Sequence, residues 1–162
     1  MAPSPDIFAK LRLTPGQLRA VSERRFADAQ CLLDSRRLER ANGAIYMAGF
    51  VIECLLKALL LDRHPNLQKK VDPARLSPSD AEVMGLVYRR HDLDDMLGFL
   101  PEVQAKLSGI KSEAGHDLWQ EFNAVCEEWT VYARYSPLNA KLDEAESFLD
   151  IVREVKKWLR EL

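Results

Sequence analysis

The sequence predicts an all-α protein, an up-down bundle of four long helices with additional short helices, and three observations carry that expectation. The stretch from Gly43 to Leu61, GAIYMAGFVIECLLKALLL, is apolar around so much of a helical wheel that neighbours must cover most of its circumference. Three other stretches, beginning near Thr14, His116 and Asn139, repeat apolar residues at spacings of three and four. No segment reads persuasively as a strand, and no unit repeats along the chain.

The elements follow in order. Residues 1–13 are short, proline-containing and without pattern, a loosely ordered segment set apart from a helical domain over residues 14–162. Thr14 can cap free amides and Pro15 is already set to helical φ, so they start the first helix. It runs to about Arg37 with Leu18, Val21, Phe26, Ala29, Leu32 and Leu33 inward. The short connection to Asn42 makes the first two helices antiparallel neighbours. On the central helix, Tyr46, Phe50, Glu53 and Lys57 fall on one stripe, the only polar opening, while Ile45, Ala48, Ile52, Leu55, Leu56 and Leu59 lie opposite.

From Asn66 to Pro78 the chain is polar and proline-rich, as a loop is. Ser79 and Glu82 have capping-box spacing for one short helix, and Asp92 caps a second that Pro101 ends. The third long helix runs from about His116 through Leu118, Phe122, Val125, Trp129 and Tyr132, breaking at Ser136 before Pro137. Ser136 or Asn139 caps the last, whose inner stripe is Leu142, Ala145, Leu149, Val152, Val155 and Leu159. Trp119, Trp129 and Trp158 sit among apolar neighbours as core residues.

The totals bound the function. A chain of 162 residues, 47% of them apolar, is enough for one domain with its own core. A net charge of −2 gives no bulk attraction to nucleic acid or anionic lipid, so DNA duplex and membrane are not expected partners. Cys31, Cys54 and Cys126 lie far apart, as buried thiols in a reducing compartment, and His64, His91 and His116 are too scattered for a metal set. No metal or other cofactor is expected. The first residues carry no export signal, and the central apolar run contains Glu53 and Lys57, so a cytoplasmic protein is expected.

Three local matches then resemble a known family, the HEPN domains, helical proteins named for nucleotide binding in higher eukaryotes and prokaryotes. They are ANGAIYMAGFVIECLLKALL at Ala41 to Leu60, His91-Asp92-Leu93 with Leu97 behind it, and Ala133-Arg134-Tyr135-Ser136-Pro137 between the last two long helices. The similarity covers Phe26 to Leu159, and the first match is the most specific. The resemblance implies a homodimer that binds nucleotide or RNA phosphate, beside a partner such as a minimal nucleotidyltransferase in a toxin and antitoxin pair. Many family members are metal-independent ribonucleases that use an arginine followed, after four to six residues, by a histidine. Arg134 matches the arginine. Asn139, Ala140 and Lys141 stand where the histidine should, and an amide such as Asn139 is no base.

The resemblance therefore favours a binding module, with Arg134, Asn139, Lys57, Glu53 and Tyr46 as phosphate-site candidates. The bland alternatives are an Arg134 that ends a helix by pairing with carbonyls, and an ordinary surface ion pair between Glu53 and Lys57. An enzyme remains as a second reading, a ribonuclease in which Arg134 and His91 are the catalytic candidates. A purely structural helical subunit is the third.

Overall fold

Thr14 and Pro15 do start the first helix. In the computed structural model, which describes residues 12–69 and 72–162 and omits the side chains of Pro73, Tyr132 and Arg134, helix α1 spans Pro15–Asp34. The Thr14 hydroxyl accepts the Gln17 N–H at 3.2 Å, and the Gln17 side chain accepts the Thr14 N–H at 2.9 Å. These reciprocal bonds satisfy two donors that a helix start leaves free. A tight connection with Arg36 at φ 53 and a 3₁₀ turn at Leu38–Arg40 reverses the chain into α2, Ala41–Arg63.

Helix α2 is the axis of the core. Every residue from Val51 to Leu61 on it is buried, as its apolar wheel requires. The most apolar 18-residue window within Leu38–Arg63 has a mean hydropathy of 2.0, long and apolar enough to cross a membrane, yet 78% of that window lies inside the protein. Helix α1 packs antiparallel to it, since Arg19 near one end pairs with Asp62 at the other at 2.5 Å. The last helix, α7 at Leu142–Leu159, packs on α2 and runs antiparallel to α1. Arg36 beside α1 pairs with Glu146 early in α7, and Lys156 late in α7 reaches Glu23 at 2.6 Å.

Four shorter helices close the core. They are α3 at Pro78–Tyr88, α4 at Leu93–Gly98, α5 at Pro101–Leu107 and α6 at Leu118–Glu128. Asp92 caps α4 as expected, accepting the Asp95 N–H at 3.0 Å. Asp117 caps α6 and accepts the Gln120 and Gly109 N–H groups. Those bonds, Gly109's first, hold its carboxyl below the ordinary aspartate range.

The fold class stands, but the four long helices do not. Only α1, α2 and α7 are long, at 20, 23 and 18 residues, while the third expected long helix is α6, with 11. It stops because Trp129 turns to extended backbone, φ −73 and ψ 127, and lays its indole against Gly49 of α2. A side chain at position 49 would overlap that ring. Beyond Trp129 the chain forms a 3₁₀ turn, Val131–Tyr135, whose three-residue period imitates a continuing helix in the sequence.

Other boundaries move for local reasons. Ser77, not Ser79, caps α3, with the Asp80 N–H at 3.0 Å from its hydroxyl. Pro101 opens α5 rather than ending a pattern, since proline needs no N–H at a first helical position. Neither Ser136 nor Asn139 caps α7, because Lys141 holds that position and Glu144 accepts its N–H at 2.8 Å. Cys31 is exposed, whereas Cys54 and Cys126 are buried.

Candidate functional site

The polar stripe of α2 is covered, not open. Glu53 and Lys57 are 4% and 6% exposed, so the surface ion pair of the sequence reading is a buried one, 2.7 Å between Lys57 Nζ and Glu53 Oε1. What covers them is the step between α3 and α4. Lys57 Nζ donates to the Arg90 carbonyl at 3.0 Å, and His91 Nδ1 lies 2.9 and 3.1 Å from the two Glu53 oxygens. A carboxylate only accepts, so Nδ1 carries the proton and Nε2 is the ring nitrogen left for another partner. The His91 side chain is 49% exposed, so the buried carboxylate fixes a ring whose other edge reaches solvent.

Aromatic rings finish the same face. Phe50 lies edge-on to Tyr46, Trp129 and His91, at centroid distances of 4.8, 5.5 and 6.1 Å. Tyr46 is nearly parallel to Trp129 at 6.2 Å. Tyr46 and Phe50, read from the sequence as aromatics on an open stripe, are thus packed within the chain. Trp129 is 4% exposed, and its indole N–H is buried without an acceptor among the described residues.

Beside this cluster is a cavity of about 630 Å³ between the start of α4, the end of α6 and the 3₁₀ turn. His91, Cys126, Trp129, Thr130 and Val131 line it, with a rim of Asp92, Asp94, Asp95 and Glu127. Its lining cation, Arg90, is committed to Glu82 at 2.7 Å and to Asp95 at 3.6 Å. That part of the rim is therefore anionic. It suits hydrogen-bond donors and resists a bare phosphate. The two buried thiols are poor nucleophiles: burial pushes Cys54 up to about 11, and burial also raises Cys126. Among the described residues, no three His, Cys, Asp or Glu side chains are arranged to hold a metal ion.

Of the six sequence candidates, the fold brings Tyr46, Glu53, Lys57 and His91 together. Arg134 belongs to the 3₁₀ turn, which packs against α2 and whose first residue lines the cavity, while its side chain lies outside the described residues. Asn139 does not line the cavity and is exposed on the segment before α7. That segment is pinned by a residue the sequence did not single out. Asn42 at the start of α2 donates to the Leu138 carbonyl and accepts the Ala140 N–H, both at 2.6 Å. The acidic rim was missed as well, although three aspartates within Asp92 to Asp95 were its visible signal.

No family model matches the chain, and neither a curated protein nor a solved structure matches it.

Proposed function

We propose that the protein is a HEPN-like module of the cytoplasm that binds a nucleotide or RNA phosphate as a homodimer and works with a partner such as a minimal nucleotidyltransferase. The observation that supports this reading is convergence. The three segments that carry the resemblance are far apart in sequence, yet His91 bonds to Glu53 of the first, and the turn containing Ala133 and Arg134 packs on the same helix beside the same cavity. The acidic rim divides the labour within it. Carboxylates accept the N–H donors of base edges, while a guanidinium on the turn takes the phosphate by two parallel bonds.

Arg134→Ala is expected to weaken binding of a short single-stranded RNA about tenfold or more in a fluorescence titration, since charge-assisted bonds contribute roughly 1.5 to 3 kcal/mol. Its melting temperature should stay near that of the wild type. An arginine that only ends the turn would lower the melting temperature and leave affinity alone.

One observation favours a second reading, a metal-independent ribonuclease. The buried Glu53 carboxylate orients His91 with Nε2 available, as a carboxylate orients the base of a nucleophile and base pair. Nε2 would take the proton of a 2′-hydroxyl as its oxygen attacks the adjacent phosphorus, and the P–O5′ bond would break to leave a 2′,3′-cyclic phosphate and a 5′-hydroxyl that takes its proton from water. RNA cleavage by the unmodified protein, lost in His91→Asn and in Arg134→Ala, would select it over the binding module. Without such cleavage, Asn139→His adds a base at the family spacing, and slow cleavage should appear if Asn139 faces the phosphate.

A further inference from the structure

A second concavity, about 440 Å³, runs along the outside of α6 and α7 and is independent of the cavity beside His91. Its floor is apolar. Ala124 is exposed, Phe148 and Ile151 are half-buried, and Val125 lies beneath them. Both edges are acidic, with Glu121 and Glu128 on α6 and Asp143 and Glu144 on α7. Among the described residues no lysine or arginine lines it, although the chain as a whole is nearly neutral at −2.

These carboxylates meet no lysine or arginine among the described residues, though Glu144 accepts the Lys141 N–H at 2.8 Å and Asp143 accepts the Glu144 N–H at 3.0 Å. Glu128, Asp143 and Glu144 form no ion pair with any described residue, and Glu121 meets only His116, at 3.0 Å through one oxygen. The other Glu121 oxygen is buried without a partner among the described residues. Glu121 and Glu128 stand seven residues apart on one face, about 10 Å along the helix, which is two helical turns. On α7 the floor residues Phe148 and Ile151 are three residues apart and so share one face.

We propose that this groove docks a basic amphipathic helix of a partner protein, its apolar side chains on Ala124, Phe148 and Ile151 and its lysines or arginines against the two acidic edges. Charge complementarity chooses the occupant. A nucleic acid, an anionic lipid surface or an acidic peptide would meet carboxylates on both helices, with no cation among the described lining residues. A second copy of this chain fits poorly, because its exposed apolar residue among unpaired arginines, Leu38 beside Arg37 and Arg40, lies on a three-residue 3₁₀ turn that cannot span two turns of groove. A helix laid in an apolar groove with flanking charges is a recurrent recognition mode.

The test uses a fluorescein-labelled 14-residue peptide of leucine and lysine, with leucines at helical spacing, titrated with the full chain and read by anisotropy. Saturable binding is expected, weakened at least tenfold by Glu128→Lys with Asp143→Lys, and equally by Ala124→Arg, which fills the floor. The paired change Asp62→Lys with Asp72→Lys alters net charge by the same amount in the last turn of α2 and past it, removing only the exposed ion pairs with Arg19 and Arg75, and should leave affinity as it was. Circular dichroism checks that each variant is folded, and the exposed carboxylate pair carries the test if Ala124→Arg is not. The proposal is overturned if the wild type does not saturate, if a scrambled peptide of the same composition binds equally, or if groove and distant charge variants lose affinity alike. Light scattering that finds a dimer dissociated by Ala124→Arg would assign the groove to a second copy and overturn it too.

Discussion

Leu55→Asp is expected to leave no cooperatively folded protein at room temperature. Leu55 is 2% exposed on the helix that α1, α3, α4 and α7 all touch. A carboxylate there has no cation to meet and no water to reach, and isolating it costs several kcal/mol. A whole domain is stable by only about 5 to 15 kcal/mol. Thermal melting followed by circular dichroism reads the outcome. A variant that melts with the wild type would mean that α2 is not the core helix.

The second large effect is a non-additive pair. Glu53→Leu alone should destabilise by about 3 to 5 kcal/mol, because it strands the Lys57 ammonium among apolar residues with the Arg90 carbonyl as its remaining partner. Lys57→Met alone should do comparable damage. The double variant should recover to within about 1 kcal/mol of the wild type or exceed it, since a buried pair replaced by apolar groups of similar volume loses nothing that desolvation had not already cancelled. Urea denaturation of the four proteins measures the coupling. Single variants as stable as the wild type would show the pair to be solvated. The folded double variant also isolates function from stability, because it keeps the bundle but removes the carboxylate that orients His91.

The parts of this fold that local pattern dictates were legible, and the parts that depend on distant partners were not. Helix α2 was readable because its apolar wheel admits only burial, and Thr14-Pro15 because capping chemistry lies within three residues. Glu53 and Lys57 show how the limit works. Four residues apart, they look the same whether the pair faces water or a core, and the residues that bury it, Arg90 and His91, arrive from more than thirty positions away. Trp129 misled for a related reason. Its spacing from Val125 and Tyr132 continues a helical stripe, while the cause of its departure is Gly49, a residue on another helix with no side chain. Asn42 gave no signal at all, since both of its bonds run to the backbone near Ala140.

The α2 stripe, the His91 step and the turn after Trp129 are proposed to form one binding site. The measurement that addresses it most directly is a titration of the ¹⁵N-labelled protein with a short single-stranded RNA, followed through the three tryptophan indole N–H signals and the His91 amide. Trp129 lies in the cluster, whereas Trp119 packs on Phe122 and Trp158 beneath Lys106. With one site, the Trp129 and His91 signals should move together and saturate while those of Trp119 and Trp158 stay in place. Signals that stay unmoved at millimolar RNA, or that move only at Trp119 and Trp158, would contradict it.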